Sequence, residues 1–474
     1  MTTMARPGQR RRSRPPAERA AAGKAARAAV PRESHAAFDP SAGRADPVDL
    51  LQEQSRSRLP GLAGIRYGRM LTSAFSYFRG AALPMAADLA ATPTTGLTVQ
   101  ACGDAHLSNF GLFASPERQL VFDINDFDET LPAPWEWDVK RLAASLEIAG
   151  RDNGFGGKER RRIVLAAAAR YREAMRAFAG LGHLDVWYAR ADVAEVRQEL
   201  GGRLHTRQRK ALAEAAARAR SRDSRQALAK LTEVVDGAIR IAPDPPLIVP
   251  LAGLLPAATD RDTIEQDMRR LIAGYRRTLQ SDRRDLLQRY EFTDIARKVV
   301  GVGSVGTRCW IILMLGRDTT DPLFLQVKEA EDSVLSRFAG ASRQANQGQR
   351  VVEGQRLMQA ASDIFLGWQQ VRGLDGQQRD CYVRQLRDWK YSLPVELMVP
   401  RGMRVYAELC GWTLARAHAR SGDRIAIAAY LGARDVFDRA IAAFAASYAD
   451  QNQRDYDALA AAAASGRVTA QHGV

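Results

Sequence analysis

The chain has 474 residues, 46% of them hydrophobic, and a formal net charge of +15 at pH 7. That size supports two domains or one large bilobal unit with a substantial core, and the basic excess suits anionic partners such as nucleotides, nucleic acid or a membrane surface. No apolar run of about 18 residues is available to cross a bilayer. Cys102, Cys309, Cys381 and Cys410 have no CxxC spacing, so neither a zinc framework nor a disulfide scaffold is expected and a reduced, cytoplasmic protein is the simplest account. The N-terminus carries the charge of a signal peptide without its apolar core.

Residues 1–46 are rich in Arg, Ala and Pro and read as a disordered basic tail. Arg10, Arg11, Arg12 and Arg14 offer a contact to nucleic acid or lipid headgroups, although a solvated tail is the plainer account. Residues 47–91 have helical character and carry Arg66, Arg69 and Arg79, which either face phosphate or substrate or form ordinary ion pairs.

Leu97, Val99 and Ala101 alternate, which predicts a strand leading into the loop Gly103-Asp104-Ala105-His106-Leu107-Ser108-Asn109-Phe110-Gly111. A second strand-like run, Leu120-Val121-Phe122, leads into Asp123, Asp126 and Asp128. Acids at the ends of two short strands suit phosphoryl transfer, in which one acid orients a hydroxyl and accepts its proton while other groups hold magnesium. Asp104 takes the first role. Asn109 and Asp126 take the second, with Asp123 and Asp128 as lesser candidates, and His106 organises the loop or touches phosphate. The separation of Asp104 and Asn109 is that of a kinase catalytic loop. The plain alternative is a surface turn beside an acidic strand end.

Apolar spacing predicts helices over 135–150, 159–179 and 185–231, the last broken at Gly201-Gly202. The second half of that segment is strongly basic, from Arg203 to Arg225, and is either an interaction face or a solvated one. Residues 234–250 read as a hairpin or connector, and 263–290 as another helix. The texture then changes. Gly301-Val302-Gly303-Ser304-Val305-Gly306 is followed by a β-branched run, a turn at 316–322, and Leu323-Phe324-Leu325-Gln326-Val327-Lys328. A dinucleotide-binding loop must open a helix, whereas this one joins two strands. Strand, glycine loop, strand, turn and strand ending in Lys is the order of a kinase nucleotide lobe. Gly301, Gly303, Ser304 and Gly306 would cover the phosphates and Lys328 would neutralise them; the alternative is a structural hairpin with one snorkelling lysine. A kinase lysine needs an acid on a nearby helix, and Glu353, within a helical stretch at 347–362, is the choice. A strand at 382–386, a connector at 388–394 and helices over 406–420 and 424–459 complete the chain. His418, Arg420 and Asp423 can add to the site, although a helical His is more often structural.

Gly103-Asp104-x-His106-x-x-Asn109 also resembles the catalytic loop of aminoglycoside phosphotransferases, choline kinases and related atypical kinases. Asn125-Asp126-Phe127-Asp128 resembles the metal-binding segment that follows it there. Trp137-Asp138-Val139-Lys140-Arg141-Leu142 resembles the helix start whose acid braces the loop from below. The span from about 65 to 459 resembles an uncharacterised bacterial domain-of-unknown-function family, through Arg66-Tyr67-Gly68-Arg69-Met70, Gly103-Asp104-Ala105-His106, the Lys298–Gly306 segment and Gln326-Val327-Lys328-Glu329-Ala330. That second resemblance supplies no substrate.

Kinases place the glycine loop and lysine before the catalytic loop, and here the order is reversed. The expected fold is therefore α+β, a bilobal protein-kinase-like fold in circularly permuted order. It has a large helical lobe over 47–290, a nucleotide-binding β lobe over 291–400 and helices over 401–474 that return to the large lobe. The helix at 406–420 takes the place of the one that normally precedes the catalytic loop. The expected activity is ATP- and Mg²⁺-dependent phosphoryl transfer to the hydroxyl of an unknown small molecule or protein. The alternatives are nucleotidyl (AMP) transfer by the same acids, and a nucleotide-binding pseudokinase or scaffold that docks nucleic acid on its basic face, which is not favoured.

Overall fold

A computed structural model describes residues 14–40, 43–200, 202, 206–255, 261–386 and 388–473. Arg10, Arg11, Arg12, Gly201 and Arg203 lie outside the described residues. The fold is α+β, 53% helix and 16% strand, and its ladders are antiparallel.

The two acid-bearing segments come first. Strand β1 (Thr98–Ala101) pairs with β4 (Leu131–Pro134), and β2 (Phe110–Ala114) pairs with β3 (Leu120–Ile124). The end of the polar loop is thus itself a strand. A two-residue strand, β5 (Ala191–Asp192), adds to β3. Helices Trp135–Asp152 and Gly157–Ala179 pack behind this layer and share one large core with Phe110, Phe122, Trp135 and Leu146. The 185–231 segment forms four short helices rather than one broken one: His183–Tyr188, Val193–Leu200, Thr206–Arg220 and Ser224–Leu231. The expected hairpin is β6 (Thr232–Val235) with β7 (Ala238–Ile241), turned at Asp236 and Gly237, both with positive φ.

The second layer is a six-stranded antiparallel sheet in the order β12-β13-β11-β10-β9-β8. Its members are β8 (Ile248–Pro250), β9 (Glu291–Lys298), β10 (Cys309–Leu315), β11 (Pro322–Glu329), β12 (Gly367–Arg372) and β13 (Gln378–Gln385). The glycine-rich segment joins β9 to β10, a turn joins β10 to β11, and Lys328 stands near the end of β11. The helix Gln347–Met358 follows before β12. Tyr275, Ile295, Ile312, Leu325 and Val327 form a core of their own beneath this sheet. The two largest cores, one mostly helical and one beneath the six-stranded sheet, are accompanied by three smaller clusters.

Helix Pro400–Ser421 then packs into the large, mostly helical core. The stretch from Arg424 onward is two helices, Arg424–Leu431 and Val436–Ala464, separated at Gly432, whose φ of +67° ends the first.

The expected disorder of residues 1–46 does not extend to residues 14–40. Pro16–Ala29 is a helix, with a 3₁₀ turn at Arg32–Ala36. Arg27 donates to the carbonyls of Tyr430 and Ala429, and Arg32 to that of Leu431 at 2.6 Å. These are the last carbonyls of the Arg424–Leu431 helix, which have no partner within it, and cations are favoured there. Arg19 pairs with Asp423 at 2.8 Å, and His35 is buried against Tyr430 and Phe437. The composition of this segment matches a tail; its arginines are consumed by a helix end about four hundred residues away.

Candidate active site

The loop after β1 is held from below by one carboxylate. Asp138, in the first turn of helix Trp135–Asp152, accepts from the backbone N–H groups of Cys102 (2.6 Å) and Gly103 (2.9 Å), and lies 3.1 Å from His418 Nε2. A negative charge is favoured at that helix end. Gly103 has φ +82°, and a Cβ there would fall 2.3 Å from the Glu129 carbonyl oxygen, so no other residue fits the bend. The Tyr406 hydroxyl faces the carbonyls of Leu107 and Phe110 at 2.9 and 3.1 Å. The returning helix Pro400–Ser421 therefore buttresses the loop through Tyr406 and its brace through His418.

On that loop, Asp104 Oδ1 accepts from Arg141 Nε at 2.5 Å, and Oδ2 lies 3.6 Å from His106 Nε2. Burial pushes the His106 imidazole down to about 3, against the pull of Asp104. The ring is neutral at ordinary pH. Its Nδ1 accepts from Ser108 N–H at 3.2 Å, so its single proton sits on Nε2, toward Asp104. Asn109 donates through Nδ2 to the Asp104 carbonyl at 2.8 Å. That bond fixes the amide and leaves its side-chain oxygen free to accept a ligand.

Asp104, His106, Asn109 and Asp126 line one cavity of about 780 Å³ together with Gly301, Gly303 and Ser304 of the glycine-rich loop. Arg58 fastens that loop by donating to the carbonyls of Gly303 and Val305, and Arg69 donates to that of Gly301. Lys328 is buried in the wall. It pairs with Asp128 at 2.5 Å, and its Nζ lies 3.4 Å from Ser304 Oγ. Burial would lower the Lys328 ammonium, but Asp128 holds it well above its ordinary value. Burial would likewise raise the Asp128 carboxyl, but Lys328 and the Tyr382 hydroxyl, 2.6 Å away, hold it down at about 2. Two segments some two hundred residues apart in sequence thus face one another across a single cleft.

A family model described as an uncharacterized protein conserved in bacteria (DUF2252) matches residues 58–462. The chain belongs to this family. The match spans every residue of the cleft named above. No curated protein and no solved structure matches the chain.

Three expected site residues, Glu353, Asp123 and Gly306, are placed elsewhere. Glu353 does not meet Lys328: its carboxylate accepts from Gln344 (2.8 Å) and Gln349 (2.6 Å). The face of helix Gln347–Met358 that turns toward the cleft presents Arg350, which donates to the carbonyls of Asp128, Thr130 and Glu331. Asp123 is buried, ion-paired to Arg416, and accepts from the Ala360 N–H at 2.9 Å. Its oxygens are committed to Arg416 and to the segment just after helix Gln347–Met358, and it does not line the cavity. Gly306, with φ +90°, packs on Arg58 behind the loop. His418 is fully buried between Asp138 and Tyr171.

Other site groups had no assigned role. Arg141 had a signal, since it stands three residues after Asp138 and so shares its helix face. Tyr382 is opposite Lys328 across β11 and β13, a pairing visible only once the sheet is known. Glu129 and Lys390 also line the cavity. Burial raises the Glu129 carboxyl to about 7, although Val334 N–H donates to it at 2.7 Å. Burial and then Arg384 lower the Lys390 ammonium to about 7. Among the described residues, no group of three or more His, Cys, Asp or Glu is arranged to hold a metal by itself, and no helix is long and apolar enough to cross a membrane.

Proposed function

We propose that this protein is an ATP- and Mg²⁺-dependent phosphotransferase acting on a hydroxyl acceptor in the cytoplasm, built on a kinase-like plan in permuted order. The observation that carries the reading is the convergence of the Asp104–Asn109 loop, Asp126 and the Gly301–Ser304 loop on one cleft, with Lys328 buried behind its wall 3.4 Å from Ser304 Oγ. The succession of strand, glycine loop, strand, turn and lysine-bearing strand supports it, as does the antiparallel sheet that frames it. The four cysteines are free and buried, which suits a reducing compartment.

The residues fit magnesium bound together with a nucleotide. Magnesium takes one or two protein carboxylates and completes its shell with phosphate and water; Asp126 supplies a carboxylate and Asn109 an uncommitted amide oxygen. When bound, the metal would supply positive charge to offset that of the phosphates. Asp104 accepts the proton of the acceptor hydroxyl through Oδ2, while Arg141 fixes its plane through Oδ1. Neutral His106 limits how far that carboxylate can turn. Lys328 holds phosphate oxygens, which requires Asp128 to share or release its ammonium.

The test is Asp104→Asn in the full chain. It retains nucleotide affinity and loses about 10²–10⁴ in turnover, the usual scale for a positioned proton acceptor. Transfer of label from the γ-position of ATP supports phosphoryl transfer, and transfer from the α-position replaces it with nucleotidyl transfer. Unchanged turnover in Asp104→Asn overturns the reading.

A further inference from the structure

Within this reading of the cleft, the class of the acceptor is legible in one arginine. Most guanidinium groups around the site are occupied. Arg58 is used on the glycine loop, Arg141 on Asp104, Arg350 on three carbonyls and Arg416 on Asp123. Arg79 differs. It is half-buried at the end of helix Ala74–Gly80 and lines the same cavity as Asp104 and His106. Among the described residues it has no hydrogen bond and no ion pair, and its Nε is buried without a partner. A charged N–H withdrawn from water without a partner is costly, and an anion arriving in the cleft would offset the cost at Nε.

The position of Arg79 is built. Arg141 bonds Asp104 with Nε and the carbonyl of Phe78 with Nη2 at 2.9 Å, and its guanidinium lies 4.2 Å from the centre of the Phe78 ring. One buried side chain thus ties the acid to the residue immediately before Arg79. Arg66 donates to the carbonyl of Gly80 on the other side, at 3.0 Å. Burial lowers the Arg79 guanidinium, and the acids whose charge reaches it are Asp104 and Glu396. Lys390, by contrast, lines the cavity with its Nζ 3.4 Å from the carbonyl of Asn125, next to Asp126, and Lys328 pairs with Asp128. The cleft has two cationic ends. The lysine end adjoins the metal-binding acid and suits the nucleotide phosphates, and the arginine end adjoins the proton acceptor.

We propose that Arg79 is the anchor for an anionic acceptor: the substrate carries a carboxylate or phosphate group beside the hydroxyl that Asp104 orients. A planar guanidinium binds either oxyanion in a two-point geometry. A neutral alcohol would leave Arg79 uncompensated, so the site discriminates against it.

The experiment titrates the full chain, loaded with ADP and Mg²⁺ to fill the lysine end, with inorganic phosphate and separately with acetate, by calorimetry. The expected result is saturable binding of at least one oxyanion that weakens about tenfold or more in Arg79→Gln, the scale of losing a charge-assisted hydrogen bond. Tighter phosphate assigns a phosphorylated acceptor, and tighter acetate a carboxylic acid. Exposed Arg56, on the cavity rim, serves as control: Arg56→Gln leaves binding unchanged. Protection of Arg79 by the same anions against phenylglyoxal, mapped by mass spectrometry in the wild-type chain, needs no folded variant. Absence of oxyanion binding, equal binding in Arg79→Gln, or no protection of Arg79 overturns the proposal. ADP affinity is read separately. If ADP does not bind while phosphate binding still depends on Arg79, the phosphotransfer reading fails and the anion site stands.

Discussion

Lys328→Met tests the wall of the cleft most directly. Lys328 is 2% exposed and its ammonium meets Asp128 at 2.5 Å. Asp128 is held down at about 2, against an ordinary value of 3.8, a displacement on the order of 2–3 kcal/mol. Removing one partner of a fully buried pair costs about 3–5 kcal/mol. Asp128 keeps its bond from Tyr382, and its side chain is 28% exposed, so the cost falls just below that range and about 2–3 kcal/mol of destabilisation is expected. The assay is urea unfolding of the full chain at pH 7, run as a double-mutant cycle with Asp128→Asn. Each single change strands the other charge, so the double variant should recover about 2 kcal/mol relative to the sum of the singles. Because the folded carboxyl is depressed, this contribution is complete above pH about 4 and fades as pH falls toward 2. A coupling below about 0.5 kcal/mol at pH 7, the scale of an exposed pair, would refute the claim that these charges depend on each other.

Three further outcomes follow from the geometry. Asp138→Ala removes the acceptor for two backbone N–H groups and faces buried His418, so it should cost on the order of 4 kcal/mol in urea unfolding; a loss under about 1 kcal/mol would mean the loop stands without its brace. His106 resists protonation down to about 3 in the folded chain, whereas an unfolded histidine takes up a proton near 6.5. Its unfolded form binds more protons in that window, so stability falls as pH drops from 6.5 toward 3. His106→Gln should lose about 2–3 kcal/mol less than wild type between pH 7 and pH 4.5, and equal losses would remove His106 as the cause. Glu353→Gln should leave nucleotide affinity and unfolding midpoint nearly unchanged, because its partners are two glutamines; a large drop in nucleotide binding would restore Glu353 to the site.

Much of the architecture was legible locally. The β-branched runs on both sides of Gly301–Gly306 and the turn after the second run specify a sheet segment, because side-chain period and turn chemistry act over a few residues. The separation of Asp104 and Asn109 placed both on one short loop for the same reason, and Asp138 was marked by its place at a helix start. Gly432, in contrast, split a helix that apolar spacing alone read as continuous.

What the chain alone left open were choices between equivalent groups. Asp123 and Asp126 are three residues apart and chemically identical, yet one is consumed by Arg416 and the other faces the cleft. Glu353 was the acid expected beside Lys328, and the rotation of helix Gln347–Met358 presents Arg350 there instead, leaving Asp128 to pair with the lysine. Composition read the N-terminal segment as unstructured because the carbonyls that order it belong to the far end of the chain. Periodicity and spacing are properties of neighbours along the backbone. Which charge is satisfied, and which is left for a ligand, depends on partners brought together only when both cores have packed.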